Sequence, residues 1–389
     1  MPIHKSMKTY AKILLGLLII AGIAIVILRS TPAPKQGQVT EIKIGAVYTL
    51  TGIISDIGKA LQEGSELAKE QINSRGGING KSITIIYEDD PDYNPIKAVS
   101  AAQKLINVDR VSAVMDMAYT GLAAMRPIAE EKRVPIIDVL DASDQISTFG
   151  DWIFGSGIYD DGVGTQVAQF ASKELGVQRA ALLVGKDEYL QAVAGGFSQE
   201  FTRSGGTITL HEEFTVGDAD FRTQLLKIIN SGAQTIFVSH LGEGGLIAKQ
   251  ATELGYKGTF LGSDPWSLGD VVNVAGSSLD NRTYFGLWRN FDEQTDAQKM
   301  VVEQYKQKYN KDPGDYLFYI SLGYDGVMTL ADAIKKSDGS SEGIQKALYS
   351  VKNLQGLSGE ITIDPSGINR DPKSAIVMYK DGAIVRYKK

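Results

Sequence analysis

The stretch that decides the fold is Glu41–Asp90, EIKIGAVYTLTGIISDIGKALQEGSELAKEQINSRGGINGKSITIIYEDD. Apolar runs over Ile42–Tyr48 and Ile83–Glu88 are short enough to be buried strands. Between them, residues 57–72 carry apolar or small side chains every three to four positions, which predicts a helix with one face on a sheet. We expect Ser55 to cap that helix. The stretch therefore predicts a right-handed βαβ unit, whose ligand site would lie at the polar turn after the first strand.

The alternation of strands and helices continues to about residue 288. Further β-type runs cover Ser112–Met115, Pro135–Val139, Arg179–Val184, Thr207–Phe214, Thr235–Ser239, Thr259–Leu261 and Thr283–Leu287. Helical patterns between them include Asn94–Asn107, Gly162–Leu175, Ala219–Ile229 and Gly244–Leu254. This order indicates an α/β fold with mostly parallel strands, divided over two sheets. Residues 293–351 are mainly helical, and the tail predicts β hairpins with a turn at Asp381-Gly382.

Composition excludes several classes of function. The chain has 389 residues, enough for two domains, and its net charge of −6 argues against a nucleic-acid-binding protein. The absence of cysteine excludes disulfides, thiolate metal sites, cysteine nucleophiles and a lipid-modified cysteine anchor. Only three histidines occur, which argues against histidine-based catalysis and against a histidine metal site. We therefore expect no catalytic residues, no metal and no cofactor.

Residues 1–29 predict a membrane anchor or a signal segment. Three lysines precede Ile13–Leu28, sixteen residues without a charge, and Arg29 closes the run. This run is long for a signal-peptide core and slightly short for a spanning helix. We favour an uncleaved anchor over a cleaved signal peptide, with the N-terminus cytoplasmic and the rest of the chain outside the cytoplasm. Residues 30–40 (STPAPKQGQVT) would form a tether.

The same deciding stretch carries a family resemblance. Its IKIG and LTG elements, the later LA, IN and GGING elements, the DD pair and the NPIKA helix start occur in one order. This ordered set resembles the type I periplasmic solute-binding proteins. More narrowly, it is similar to the leucine/isoleucine/valine-binding branch, the receptor family of branched-chain amino-acid ABC transporters. The resemblance runs from about Glu41 to the C-terminus.

The resemblance implies two Rossmann-like lobes with mostly parallel sheets, joined by three hinge crossovers. We place the crossings near Gly155–Ile158, Gly286–Leu287 and Gln355–Gly359. Lobe one would then comprise residues 41–157 and 287–355, and lobe two residues 158–286 and 356–389.

Three elements of lobe one are candidates for ligand contact. A helix starts near Thr120-Gly121, and in the resembled family a hydroxyl here binds the ligand's α-carboxylate; the alternative is that Thr120 only caps the helix. The family also has hydroxyl residues in the loop that holds Leu140 and Ala142. Ala142 removes such a hydroxyl and Asp141 adds negative charge, a departure that puts a standard branched-chain amino acid in doubt. Thr51, in the first loop, is a weaker candidate.

The other candidates lie in lobe two. Tyr189 matches a family tyrosine that closes over the ligand, or is a half-buried surface tyrosine. His240 would bond to or stack on the ligand, or serve as a packing residue. Asp264 matches an acidic residue that pairs with the ligand's ammonium group, although Asp264-Pro265 also fits a simple turn. Trp266 would form a wall of the pocket.

These observations predict a non-enzymatic solute-binding protein that closes on an amino acid or a related amine or amide. Its partners would be ABC permease subunits, and its location extracytoplasmic, in the periplasm or at the cell surface, anchored to the cytoplasmic membrane. The alternative is an extracellular sensor domain that works with a separate signalling partner. An α/β enzyme that uses Asp138 and Asp141 as acid and base is a remote third reading.

Overall fold

The computed structural model describes residues 41–52, 54–288 and 294–388. The predicted anchor and tether, residues 1–40, lie outside the described residues. Within the described ranges, no helix is both long enough and apolar enough to cross a membrane.

A five-stranded sheet, together with the helices that pack on it, forms the first layer of the fold. In chain order its region contains β1 (Ile42–Tyr48), α1 (Ser55–Ser74), β2 (Ile83–Asp89), α2 (Pro95–Lys104), β3 (Ala113–Asp116), α3 (Tyr119–Lys132), β4 (Ile136–Asp138), β5 (Asp141–Ala142), β6 (Ile153–Gly155) and β7 (Ile158–Tyr159). The strands are all parallel, in the order β2-β1-β3-β4-β6. The short strands β5 and β7 form a separate parallel pair at the end of this sheet.

A seven-stranded sheet forms the second layer. The chain continues with α4 (Asp160–Lys173), β8 (Arg179–Gly185), α5 (Glu188–Arg203), β9 (Thr207–Phe214), α6 (Arg222–Asn230), β10 (Thr235–Ser239), α7 (Gly244–Glu253), β11 (Thr259–Gly262), α8 (Gly269–Ala275) and β12 (Thr283–Trp288). The sheet order is β16-β15-β12-β11-β10-β8-β9. Its strands are parallel from β9 to β12, and only the C-terminal hairpin is antiparallel to its neighbours.

The last part of the chain contributes to both layers. It comprises α9 (Asp296–Tyr309), α10 (Leu317–Lys335), α11 (Ser341–Leu348), β13 (Leu354–Gln355), β14 (Glu360–Ile361), β15 (Ser374–Lys380) and β16 (Ala383–Arg386). Helices α10 and α11 share a hydrophobic core with β1 and α1, whereas β15 pairs with β12 of the second sheet. The predicted turn at Asp381-Gly382 joins β15 to β16.

The five parallel strands of both sheets follow the same order, and this order positions the site. In each sheet the first strand (β1 or β8) lies between the second and the third, so that the connections run in opposite directions from that point. Ligands of such sheets bind at the carboxyl ends of the strands beside this switch point. The predicted fold class, two Rossmann-like lobes with mostly parallel sheets, is confirmed. The residue boundaries of the lobes stay a prediction.

Two local expectations at helix starts are wrong. Ser55 does not cap α1: it is the first helical residue, and the cap position belongs to Ile54, whose φ of 53° is left-handed and whose side chain makes no capping hydrogen bond. Thr120 does not cap α3, because that helix starts at Tyr119 and Ala118 occupies the cap position. The hydroxyl of Thr120 is therefore left available for a contact outside its own helix.

Glycine allows close helix packing in each layer. In the first, a Cβ on Gly323 of α10 would lie 2.0 Å from the Leu61 carbonyl oxygen, and one on Gly64 of α1 would lie 1.9 Å from the Ile320 carbonyl oxygen. In the second layer, a Cβ on Gly164 of α4 would lie 1.9 Å from the Val193 carbonyl oxygen of α5. These backbones approach so closely that no larger residue fits without moving a helix.

Gly323→Ala is therefore expected to lower the free energy of unfolding by about 1–3 kcal/mol or more, since the new methyl group has only backbone atoms to displace. Gly195→Ala in α5 is the matched control, because a Cβ there meets no heavy atom within 4 Å. That control should be neutral or stabilising by up to about 1 kcal/mol. Urea unfolding of both variants makes the measurement, and equal stability of Gly323→Ala and the wild type would contradict the packing described.

Candidate functional site

A cavity of about 690 Å³ lies at the carboxyl ends of the strands of both sheets. This volume is within the range of small-molecule sites. Its lining is formed by Ile54, Asp56, Ile57, Tyr93, Leu140, Asp141, Ile158, Tyr189, Leu241, Gly242, Asp264, Pro265, Ser267, Leu268, Gly269, Asp270, Val271, Leu287, Asp315, Tyr316, Tyr319 and Ile384. The lining thus combines apolar side chains, tyrosines and aspartates from both layers.

Asp264, which follows β11, is held by two tyrosines. The Tyr189 hydroxyl donates to Asp264 Oδ1 at 2.7 Å and also lies 3.1 Å from the Ser263 hydroxyl. The Tyr319 hydroxyl, from α10, hydrogen-bonds to the same carboxyl group. Burial raises the pKa of Asp264 to about 6, although these hydrogen bonds oppose the rise. The second layer thus presents a carboxylate that is fixed in position by phenol groups.

Asp141 faces the cavity from the first layer. The chain turns sharply after β4, because the N–H groups of Leu140 and Asp141 both donate to Asp138 Oδ1, at 2.9 and 2.8 Å. This turn directs Asp141 into the site, where it is 3% exposed and lines the cavity. Its Oδ2 atom has no hydrogen-bond partner in the part of the chain that the structure describes.

Further carboxylates surround Asp141. Asp116, Asp138 and Asp160 are fully buried, and each carries at least one oxygen without a hydrogen-bond partner among the described residues. Burial raises the pKa of Asp138 to about 7. Burial first, and then repulsion by Asp138, Asp187, Asp264 and Asp116, raises the pKa of Asp141 well above its usual range. The site therefore concentrates carboxyl groups, and no basic side chain of the described cavity lining pairs with them.

Tyr93 lines the cavity from a strained turn that follows β2. Its φ of 63°, next to the φ of 58° at Asp92, is a left-handed backbone conformation that a bulky residue rarely adopts. Its hydroxyl donates to the Met117 carbonyl oxygen at 3.5 Å. Strain of this kind is typical of functional sites, and here it directs an aromatic ring toward the acidic cluster.

The cavity lining carries charge of only one sign. Asp56, Asp141, Asp264, Asp270 and Asp315 are its charged side chains, and the described lining contains no lysine, arginine or histidine. Across the described ranges, no three His, Cys, Asp or Glu side chains are arranged to hold a metal ion.

The structure brings three of the predicted site residues together in the cavity: Leu140, Tyr189 and Asp264. Ala142 is buried in β5, next to the lining, and Gly121 lies in α3, where a Cβ would meet Ala98 at 3.0 Å. These two residues are not part of the cavity lining.

Thr120 has a partner from the opposite layer. Its hydroxyl donates to Glu188 Oε2, at the start of α5, at 3.0 Å. The predicted anion-binding hydroxyl is therefore engaged by an acidic side chain of the protein itself.

The remaining predicted residues lie away from the lining. Trp266 is fully buried in the core of the second layer, and His240 contacts its edge with ring centroids 4.8 Å apart. Burial lowers the pKa of His240 to about 4. Thr51 is exposed, and its hydroxyl donates to Asp89 at 2.6 Å.

Sequence reasoning missed several lining residues. Asp141 was considered as a departure from the family pattern and as an acid or base of the remote enzyme reading, but not as a ligand contact. Its position just past a short apolar run marks a strand end and was a usable signal. Tyr93 lies between two prolines directly after a strand, which also marks a strand end. Tyr319 gave no signal, because α10 is buried along nearly its whole length and shows no distinct polar face.

Comparison with known proteins identifies the family. A sequence profile described as periplasmic binding protein matches residues 41–383. The chain belongs to this family. The predicted resemblance to type I solute-binding proteins of the leucine/isoleucine/valine-binding branch is confirmed.

Individual relatives cover almost the whole length. The Leu/Ile/Val-binding protein homolog 3 of Brucella melitensis is 25% identical over 352 residues, which is 89% of this chain and 93% of that protein. The leucine-, isoleucine-, valine-, threonine- and alanine-binding protein of Pseudomonas aeruginosa is 26% identical over 84% of this chain and 86% of its own length. Both relatives are named as binding proteins.

Solved structures agree with this assignment. The leucine binding protein LivK of Thermotoga maritima superimposes with a TM-score of 0.75 at 26% identity, covering 89% of this chain and 98% of that one. LivJ of Streptococcus pneumoniae, solved in complex with isoleucine, gives a TM-score of 0.75 at 26% identity over 88% and 97% of the two chains.

The raised carboxyl pKa values predict that the stability of the protein without added solute falls as pH rises. The folded state keeps protons on Asp264 up to about pH 6 and on Asp138 up to about pH 7, whereas the unfolded chain releases them near pH 4. Each group therefore contributes stability that is complete below pH 4 and is lost as pH rises through its folded pKa. Asp116 and Asp141 face Asp138 and also have raised pKa values, so the loss of their protons lowers stability in the same direction.

Thermal unfolding midpoints measured from pH 5 to pH 8 should fall by a few degrees. Asp138→Asn keeps an oxygen for the two N–H donors and removes the charge, so it should flatten part of the slope. Asp381→Asn, in the exposed hairpin turn, should leave the slope unchanged. A midpoint that rises between pH 5 and pH 8 would contradict the assignment.

Proposed function

We propose that this protein is an extracytoplasmic solute-binding protein that captures a small amine-bearing solute, an amino acid or a related amine or amide, between its two lobes. The observation that carries the proposal is the fixed carboxyl group of Asp264 in the cavity, with Tyr189 and Tyr319 on it. A desolvated carboxylate held in this way is a strong acceptor for the N–H groups of an ammonium ion.

Contacts between the layers support a closing motion. Thr120 of α3 and Glu188 of α5 belong to different layers, and so do Tyr319 and Asp264. Such contacts exist only while the lobes are closed, and a solute that bridges the same two surfaces would shift the equilibrium toward the closed form.

Delivery to an ABC permease is the role that the relatives support. The Pseudomonas aeruginosa relative is named as an amino-acid-binding protein and LivJ as the substrate binding protein of a branched-chain amino acid transporter, and they cover 84% and 88% of this chain. We infer that the closed form docks on permease subunits at the outer face of the cytoplasmic membrane, to which the N-terminal segment would tether it. The names of these two relatives favour a solute-binding protein over the sensor alternative and over an enzyme.

The first test is thermal unfolding of the purified full-length protein with leucine, isoleucine, small amides and small amines. A bound solute at saturating concentration should raise the midpoint by several degrees, as mass action requires. Asp264→Asn keeps the size of the side chain and removes its charge. It should weaken binding about tenfold or more, since a hydrogen bond to a charged group is worth about 1.5–3 kcal/mol.

Asp381→Asn again provides the control, because it makes the same change at an exposed turn. If a solute binds the wild type and Asp264→Asn with equal affinity, Asp264 does not contact that solute. Loss of uptake of that solute in cells that lack the protein would support delivery to a permease, and unchanged uptake would count against it.

A further inference from the structure

Backbone N–H donors at the ends of two strands are already taken by the protein's own acidic groups. At the end of β3, the N–H of Ala118 donates to Asp116 Oδ2 at 3.3 Å. At the end of β4, the N–H groups of Leu140 and Asp141 donate to Asp138. No N–H of these three residues is therefore free to receive an anion.

Acidic side chains of the second layer also occupy hydrogen-bond donors that face the cleft. The start of α5 is capped by Asp187, whose Oδ1 accepts from the N–H of Leu190 at 3.2 Å. The hydroxyl of Thr120 is engaged by Glu188, and position 142 offers only a methyl group. At these positions an incoming carboxylate would find the donors occupied and would meet carboxylates in their place, which is destabilising at any dielectric constant.

The cavity instead requires a hydrogen-bond donor that carries positive charge. The side chain of Asp141 is 97% buried, as its 3% exposure shows, and its Oδ2 has no partner within the described ranges. A buried carboxylate of this kind is costly unless a donor or a cation pairs with it. Because Asp141 lines the cavity, that partner can come from a bound solute.

We infer that the solute is an aliphatic amine cation without a carboxylate, a diamine or a longer polyamine, bound between Asp141 on one side and Asp264 on the other. This inference rests on the proposed solute-binding function and narrows its ligand class. One ammonium group would donate a hydrogen bond to Asp141. A second ammonium group would lie beside the carboxyl group of Asp264, which the tyrosine hydroxyls hold in place.

The rest of the lining fits such a solute. Leu140, Ile158, Leu241 and Leu287 provide apolar walls for a methylene chain. The rings of Tyr93 and Tyr319 also line the cavity, and the face of a tyrosine attracts an ammonium group. A bare divalent metal ion does not fit, because no group of three suitable ligands occurs among the described residues.

The test compares solutes that differ by a single carboxylate. Lysine and cadaverine share the same diamine chain and differ only in the α-carboxylate, and leucine and 3-methylbutylamine form a second pair with one amine. Binding of all four to the purified full-length protein is measured by calorimetry at pH 8. Cadaverine should bind at least tenfold more tightly than lysine, and 3-methylbutylamine at least tenfold more tightly than leucine.

The outcomes separate this inference from the proposed function. If leucine or lysine binds as tightly as its decarboxylated partner, the inference is overturned and the solute-binding function stands. If only neutral amides bind, the inference is likewise overturned and the solute-binding function stands. If none of the amines, amino acids and amides binds at millimolar concentration, both are overturned.

Variants of Asp141 supply a second readout. Asp141→Asn should reduce cadaverine affinity about ten- to hundredfold, because it replaces a charged acceptor by a neutral one. It should not unfold the protein, since it removes repulsion from Asp138 and its neighbours, and its midpoint without solute should match or exceed that of the wild type. Asp381→Asn is the control for the loss of one negative charge. Unchanged cadaverine affinity in Asp141→Asn would overturn the inference.

Discussion

The constraint on which the site depends is the burial of several carboxyl groups without a cation, to which repulsion among them adds. Asp116, Asp138, Asp141 and Asp160 are at most 3% exposed, and no basic side chain lines the cavity beside them among the described residues. Burying one such group costs several kcal/mol in the charged form, so the group keeps its proton until a higher pH. The fold reduces this cost only in part, through the backbone N–H groups at the ends of β3 and β4.

The architecture explains how this charge is concentrated. Both sheets repeat one strand order, so both present the carboxyl ends of their central strands to the same cavity. Residues that are far apart in sequence, such as Asp141 after β4 and Asp264 after β11, thereby come close enough for Asp264 to raise the pKa of Asp141. The glycine contacts between α1 and α10 hold α10 against the first layer, and Tyr319 of α10 reaches the carboxyl group of Asp264 from there.

The sequence could predict those features that depend on residues close together along the chain. The strands around the deciding stretch were predicted to within a residue, because short apolar runs and glycine turns determine them locally. Asp264 and Tyr189 could be selected because each matches a ligand-contacting residue of the resembled family in a segment that follows a strand. The contact between Thr120 and Glu188 could not, because it joins segments 68 residues apart and depends on how the two layers meet. Tyr319 was likewise hidden within a helix that is buried on nearly every side.

In the proposed closing motion, the same charges would connect solute binding to closure of the lobes. Asp141 and Asp264 come from different layers, so their repulsion is strongest when the lobes are closed and weakens as they separate. An amine cation placed between them replaces this repulsion with two attractions, and it does so only in the closed form. A neutral solute of the same shape would leave the repulsion in place and gain less from closure. Since a ligand shifts a conformational equilibrium only by its difference in affinity for the two states, charge would contribute directly to the selection of the closed form.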